Sequence, residues 1–187
     1  MTQEDTKSQF SAKLARPKNL GDAGEWAFVV LPQKVSAKLP RRGRTSVDVS
    51  LNGHRFQALL EPDGRKSHWL KIEEQHLRSA GTKFGETVQL EISAVEQEPE
   101  PQIPGDLLDV LQAAPEALQT WKATTTIARI DWIHWITSAK QAKTRTKRIA
   151  DACSMLTSGK KRVCCFDTSG FYSKAFSAPQ AADNQQE

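Results

Sequence analysis

The sequence predicts an α+β protein, a small six-stranded β-barrel followed by a small helical bundle. Three observations carry this. Alternating apolar runs separated by turn residues fill positions 10–95. A proline- and glutamate-rich stretch, Glu96-Gln-Glu-Pro-Glu-Pro-Gln-Ile-Pro104, then breaks the pattern. Beyond it the apolar spacing changes from two to about 3.6 residues, the helical period.

Six strands are expected. Phe10–Leu14 is a short alternating run, and Trp26-Ala-Phe-Val-Val-Leu31 is a stronger one closed by Pro32. Thr45–Leu51 and His54–Leu60 flank Asn52-Gly53, and Asn-Gly between alternating runs signals a two-residue type I′ hairpin. Ser67–Ile72 and Thr87–Val95 complete the set. Short strands with frequent turns have few ways to hide their edges, so closure into a barrel is expected. Two helical turns interrupt the strands, one after Pro32 and one at Glu73–Ser79, the second stopped by Gly81.

In the linker, three prolines within six residues exclude helix and central strand. Asp106–Ala113 and Pro115–Trp121 read as short helices, with Pro115 at the first helical position, where its missing N–H costs nothing. Thr126–Ser138 and roughly Gln141–Thr157 form the main helical pair, ending before Gly159. The expected domains are thus a barrel at 8–95, a linker at 96–104, a helical domain at 105–158, and a tail at 159–187. That tail is basic at first and then, rich in Ala, Gln and Asn from Lys174 onward, expected to be disordered.

Composition narrows the function classes. No run of eighteen apolar residues is present, so no membrane-spanning helix is expected. The N-terminal residues are polar, without the apolar core of a secretory signal, and the three cysteines are odd in number. A soluble cytoplasmic protein is expected. Charge is segregated: residues 1–95 carry +4, 96–119 carry −6 and 120–187 carry +6. Between Lys122 and Arg162, ten Lys and Arg face two Asp. Such a block suits an anionic partner, or else it lies beside the acidic block within the fold.

The densest chemistry lies in Arg129–Ile149. Trp132, Trp135, Ile136 and Ala139 share an arc about 100° wide on a helical wheel and read as core anchors rather than base-stacking platforms. Arg145 lies on the same line as Ile149, Ala152 and Leu156, with Arg148 close beside it. A guanidinium aimed at a core needs an acceptor. Two readings stay open: an internal ion pair with Asp131, Asp109 or Glu116, or a pocket in which Arg145 and Arg148 grip an anion. Thr144 would cap the helix or offer its hydroxyl to that anion. Arg129 and Lys140 share a helix edge about 16 Å apart along the axis, too far for one small ligand but suited to a polyanion. Arg41, Arg42 and Arg44 form a second basic loop, which would meet phosphates or simply decorate a turn. His68, after the Asp63-Gly64 turn, is a candidate for a barrel mouth or a pocket.

Enzyme signatures are sparse. Neither a phosphate-binding Gly-rich loop nor Gly-x-Ser-x-Gly occurs, and His54, His68, His76 and His134 lack zinc-ligand spacing. Cys164 and Cys165 are adjacent, which suits neither a zinc knuckle nor a thioredoxin-type dithiol, though Lys160–Arg162 nearby would favour a thiolate. No catalytic residue, metal or cofactor is assigned.

The motif Arg129-x2-Trp132-x2-Trp135-Ile136-x2-Ala139-Lys140-x3-Thr144-Arg145-x2-Arg148-Ile149 resembles that of the YdeI or OmpD-associated family, often labelled bacteriocin-protection proteins. Members usually carry Tyr at the position of Trp132 and often Pro-Glu where this chain has Ala142-Lys143, a change that removes the enforced helix break. Phe10, Trp26, Pro32, Val47, Asn52-Gly53, Phe56, Gly64, His68, Arg78, Gly81 and Gly85 are similar to a domain of unknown function that commonly precedes the motif. The resemblance covers roughly residues 8–170. It implies a double-split β-barrel ahead of the helical domain, no established enzymatic activity, and a role in protection against bacteriocins or cationic peptides. Residues and resemblance together point to a non-enzymatic protein whose basic helical face binds an anionic partner, be it nucleic acid, acidic protein or small anion. The alternative is a small-anion-binding protein or enzyme with its pocket between barrel and bundle.

Overall fold

The computed structural model of the protein describes residues 3–21 and 24–182. They fall into two compact units: one runs up to Gln97 and includes the segment from Asp167 onward, the other is Glu98–Phe166.

The first unit contains a short helix α1 (Gln3–Thr6), absent from the sequence reading, and strands β1 (Ser8–Lys13), β2 (Trp26–Val30), β3 (Thr45–Leu51), β4 (His54–Pro62), β5 (His68–Glu73) and β6 (Thr87–Ala94). Helices α2 (Gln33–Ser36) and α3 (Glu74–Ser79) are the two expected turns. All pairings are antiparallel, in the order β1-β6-β3-β4-β5-β2. The sheet curls into a half-barrel, in keeping with the six-stranded barrel and following helices expected. Among the described residues its edges meet at one bridge, where Ala15 and Phe28 exchange bonds of 3.0 and 2.9 Å. Pro17, which has no N–H to give, and the turn at Gly21 carry the chain off the ladder beyond that point.

Period-two patterning explains the core. Val47, Val49 and Leu51 of β3 stand opposite Ala94, Ile92 and Leu90 of β6, and all six are buried on one face. Asn52 (φ 48°) and Gly53 (φ 90°) both take the left-handed region, as a type I′ turn demands. Gly81 ends α3 in a Schellman cap, with Gly81 N–H donating to Arg78 O at 3.1 Å and Thr82 N–H to Leu77 O at 3.0 Å.

The second unit holds α4 (Gly105–Ala113), α5 (Pro115–Lys122), α6 (Thr126–Thr137) and α7 (Ala142–Thr157). Its core is Leu107, Leu111, Ala117, Trp121, Trp132, Ile136, Ile149, Ala152 and Leu156. Thr125 caps α6 by accepting from Ala128 N–H at 3.2 Å. Despite Ala142-Lys143, α6 and α7 do not run together: the chain breaks at 138–141. Gly159 closes α7 with a second Schellman pair, Gly159 N–H to Leu156 O at 2.9 Å and Lys160 N–H to Met155 O at 3.0 Å.

From Asp167 the tail returns to the first unit, where Lys18 N–H donates to Gln180 O and Ala182 N–H to Arg16 O, both at 2.8 Å. Phe176 and Phe171 of this segment lie against Arg44 and Lys66, 5.0 and 4.8 Å from the ring centres. The expectation of disorder at 183–187 lies outside the described residues.

Candidate functional site

The arginines of the helical motif are brought to acceptors inside their own unit. Arg145, in the first turn of α7, reaches the N-terminus of α4. Its Nε donates to one Asp106 carboxylate oxygen at 2.7 Å and its Nη2 to the other at 2.9 Å, a bidentate fork. The hydrogen bonds from Arg145 hold the Asp106 carboxyl below its usual range, and the carboxylate raises Arg145 in return. Asp106 also faces the positive end of α4. Side-chain exposures of 34% and 45% place this pair at the surface rim of the core, not within it. Of the partners expected, Asp131, Asp109 and Glu116, none fills the role.

Arg148 serves the C-terminus of α6. Its Nη1 donates to Trp135 O and to Ser138 Oγ at 3.1 Å, and its guanidinium lies 5.4 Å from the Trp135 ring centre. A cation at the carbonyl end of a helix opposes the helix dipole there. Arg129 donates to Glu100 of the linker at 3.1 Å, and Thr126 Oγ donates to the same carboxylate oxygen at 2.5 Å. Thr144 does not cap α7. It lies inside the first turn, while Gln141 occupies the cap position without a side-chain bond. Lys140 is exposed in the α6–α7 turn.

The tryptophans divide. Trp132 is fully buried, its indole N–H directed to Lys161 O at 3.4 Å, whereas Trp135 is half-buried and meets Trp132 edge-on, ring centres 6.1 Å apart. Of the ten basic residues between Lys122 and Arg162, Lys147 pairs with Asp151 at 2.6 Å, and the three arginines are placed as described. The other six, Lys122, Lys140, Lys143, Lys160, Lys161 and Arg162, are exposed, and none makes an ion pair among the described residues.

In the first unit the basic loop is split by depth. Arg44 is buried, 2.6 Å from Glu61, with its guanidinium 5.0 Å from the Phe176 ring centre. Arg42 is exposed and donates to Lys66 O at 2.9 Å, and Arg41 is half-buried. The loop therefore does not offer three arginines to one phosphate. His68 is fully buried, with Nε2 3.0 Å from Gly43 O and Nδ1 2.7 Å from Ser36 Oγ. Nε2 must carry the proton to meet a carbonyl, which leaves Nδ1 to accept from the serine hydroxyl. Burial pushes the His68 pKa down, which favours this neutral ring. It ties β5 to α2 and the arginine loop rather than lining an open mouth.

Other groupings escaped the sequence reading. His54 Nε2 lies 3.1 Å from His76 Nδ1, and Phe56 stacks on His76 with ring centres 3.9 Å apart. Burial, then the His54 charge, lowers the His76 pKa. On the barrel, a cavity of about 580 Å³ is lined by Lys7, Asp48, Arg55 and Glu91 among others, but Lys7 already pairs with Glu91 at 3.0 Å and Gln57 donates to Asp48 at 2.9 Å. Among the described residues, no cluster of three or more His, Cys, Asp or Glu is disposed to hold a metal ion. No described helix is long and apolar enough to cross a membrane.

Residues 100–159 match the family model described as Bacteriocin-protection, YdeI or OmpD-Associated. Residues 10–92 match the one described as Domain of unknown function (DUF1905). The two matches fall on the helical unit and the half-barrel, in the order the sequence resemblance implies. No curated protein matches the chain.

Proposed function

We propose, from the match of residues 100–159 to the YdeI or OmpD-associated family model and of residues 10–92 to a domain of unknown function, a non-enzymatic binding protein whose helical unit meets an anionic partner. The observation that supports this most is the division of its cations. Arg129, Arg145 and Arg148 hold the linker, α4 and α6 in place, whereas six exposed Lys and Arg carry charge with no ion pair among the described residues. Cations that stabilise nothing locally raise the potential of their surface and draw anions to it.

On this reading the arginines of the motif build the frame and the lysines present the charge. The description of the family model matched at residues 100–159 names bacteriocin protection, and we read this surface in that setting. A cationic surface repels cationic peptides, so protection would run through an anionic partner rather than through direct capture of such a peptide.

A labelled single-stranded oligonucleotide, an acidic peptide and inorganic phosphate should each be titrated with the full chain, and with a variant carrying Ser at Lys140, Lys143, Lys160, Lys161 and Arg162. Binding by the wild type and loss by the variant, with unchanged helical circular dichroism, is the expected result. Equal binding by both, or none by either, defeats the proposal.

A further inference from the structure

Adjacent side chains on an extended backbone point to opposite sides, so neighbouring cysteines do not ordinarily bring their sulfurs together. Here they do. Cys164 Sγ and Cys165 Sγ lie 3.4 Å apart, both residues are exposed, and neither is in a disulfide. The cause is local: Cys165 has φ 58°, in the left-handed region that few non-glycine residues enter, and this turns its side chain back toward that of Cys164. A strained backbone that converges two nucleophilic atoms on one point of solvent is the kind of outlier from which a site can be argued.

We infer that Cys164 and Cys165 form a vicinal dithiol site that chelates a soft, thiophilic centre of the trivalent arsenic type. Thiolates select soft ions over hard ones. The separation then discriminates among them. With bonds of about 2.3 Å, a linear two-coordinate ion needs sulfurs about 4.6 Å apart and a tetrahedral one about 3.8 Å. The observed 3.4 Å subtends about 95° at that bond length, the angle of a pyramidal trivalent centre. The hydrogen bond with Cys164 raises the Cys165 thiol above its ordinary value. Both residues fall outside 10–92 and 100–159, so the site belongs to this chain rather than to either matched domain.

The chemistry balances without an oxidant. With phenylarsine oxide as the probe, two As–S bonds form, the arsenic–oxygen bond breaks, and the oxide oxygen leaves as water with the two thiol protons. Arsenic stays trivalent and both sulfurs stay thiolate-level.

The test uses the full chain, kept reduced with a phosphine, one equivalent of phenylarsine oxide, and a rising concentration of a monothiol competitor, read by intact mass. Two linked sulfurs should hold the arsenical against on the order of 100-fold more monothiol than one sulfur does. Wild type and Cys153→Ser should therefore retain one adduct, a small dithiol should strip it, and Cys164→Ser and Cys165→Ser should each lose it at low monothiol. Because both cysteines are exposed, these variants keep the fold, which circular dichroism checks. Retention by the wild type no better than by Cys164→Ser, or loss of the adduct in Cys153→Ser, overturns the inference.

Discussion

Breaking the Arg145–Asp106 fork separates two accounts of the helical motif. From sequence alone, Arg145 lies on the apolar line of α7, and removing one partner of a truly buried pair costs about 3–5 kcal/mol. In the structure the two side chains are 34% and 45% exposed, so water and salt screen them and the pair belongs with surface ion pairs. Those contribute roughly 0.2–1 kcal/mol, and the two-bond geometry places this one near the upper end, about 1 kcal/mol. The assay is a double-mutant cycle of Asp106→Ala, Arg145→Ala and the double variant, read by urea melts. Coupling should shrink at 1 M salt, where the Debye length is about 3 Å. The pH dependence follows from the lowered Asp106 carboxyl. The stabilisation is complete above the unfolded value of 3.8 and is lost as pH falls through the still lower folded value. A coupling of about 3 kcal/mol or more that ignores salt would refute the exposed-pair account, and a coupling of zero at neutral pH would remove the pair.

Three further outcomes are expected. Trp132→Ala should destabilise by about 3–5 kcal/mol, but the half-buried Trp135→Ala by only roughly 2 kcal/mol; urea midpoints in the reverse order contradict the packing. Gly64 has φ 69°, and a Cβ there collides with Phe176 O, so Gly64→Ala should release the tail and hasten tryptic cutting after Lys174, where an unchanged digestion rate would show that the tail does not rest on Gly64. Because burial lowers the His68 pKa, the unfolded chain binds the extra proton first, so stability should fall as pH drops below the unfolded value of 6.5. His68→Gln should flatten that decline, and an identical pH profile in the variant would acquit the histidine.

The strands and main helices were legible because their signals are local. Asn52-Gly53 set the hairpin, Pro115 opened α5, and the apolar face of Ile149, Ala152 and Leu156 marked α7. Partner choice was not legible, since it depends on how helices pack. Arg145 pairs with Asp106, 39 residues away, because α4 brings its N-terminus to α7, and no spacing rule in the sequence chooses it over Asp109. Depth within a loop was equally hidden: Arg44 is buried by Glu61 and Phe176, whereas Arg42, two residues earlier, is exposed. The main-chain bonds that join the tail to Arg16 and Lys18 are likewise invisible in composition. The thiol pair was visible as two adjacent letters, but its convergence depends on one positive φ.

The salt dependence of oligonucleotide binding tests the central proposal most directly. If the exposed lysines of the helical unit neutralise phosphates, log K for duplex should fall linearly with log salt, with a slope of about −0.9 per phosphate contacted, and about −0.7 on a single strand. Replacing Lys140 and Lys143 by Ser should lower the duplex slope by up to about two contacts' worth, near 1.8, while Arg145→Ala should leave it unchanged. A slope insensitive to the lysines, or one that follows Arg145 instead, would contradict the division of cations on which the proposed function stands.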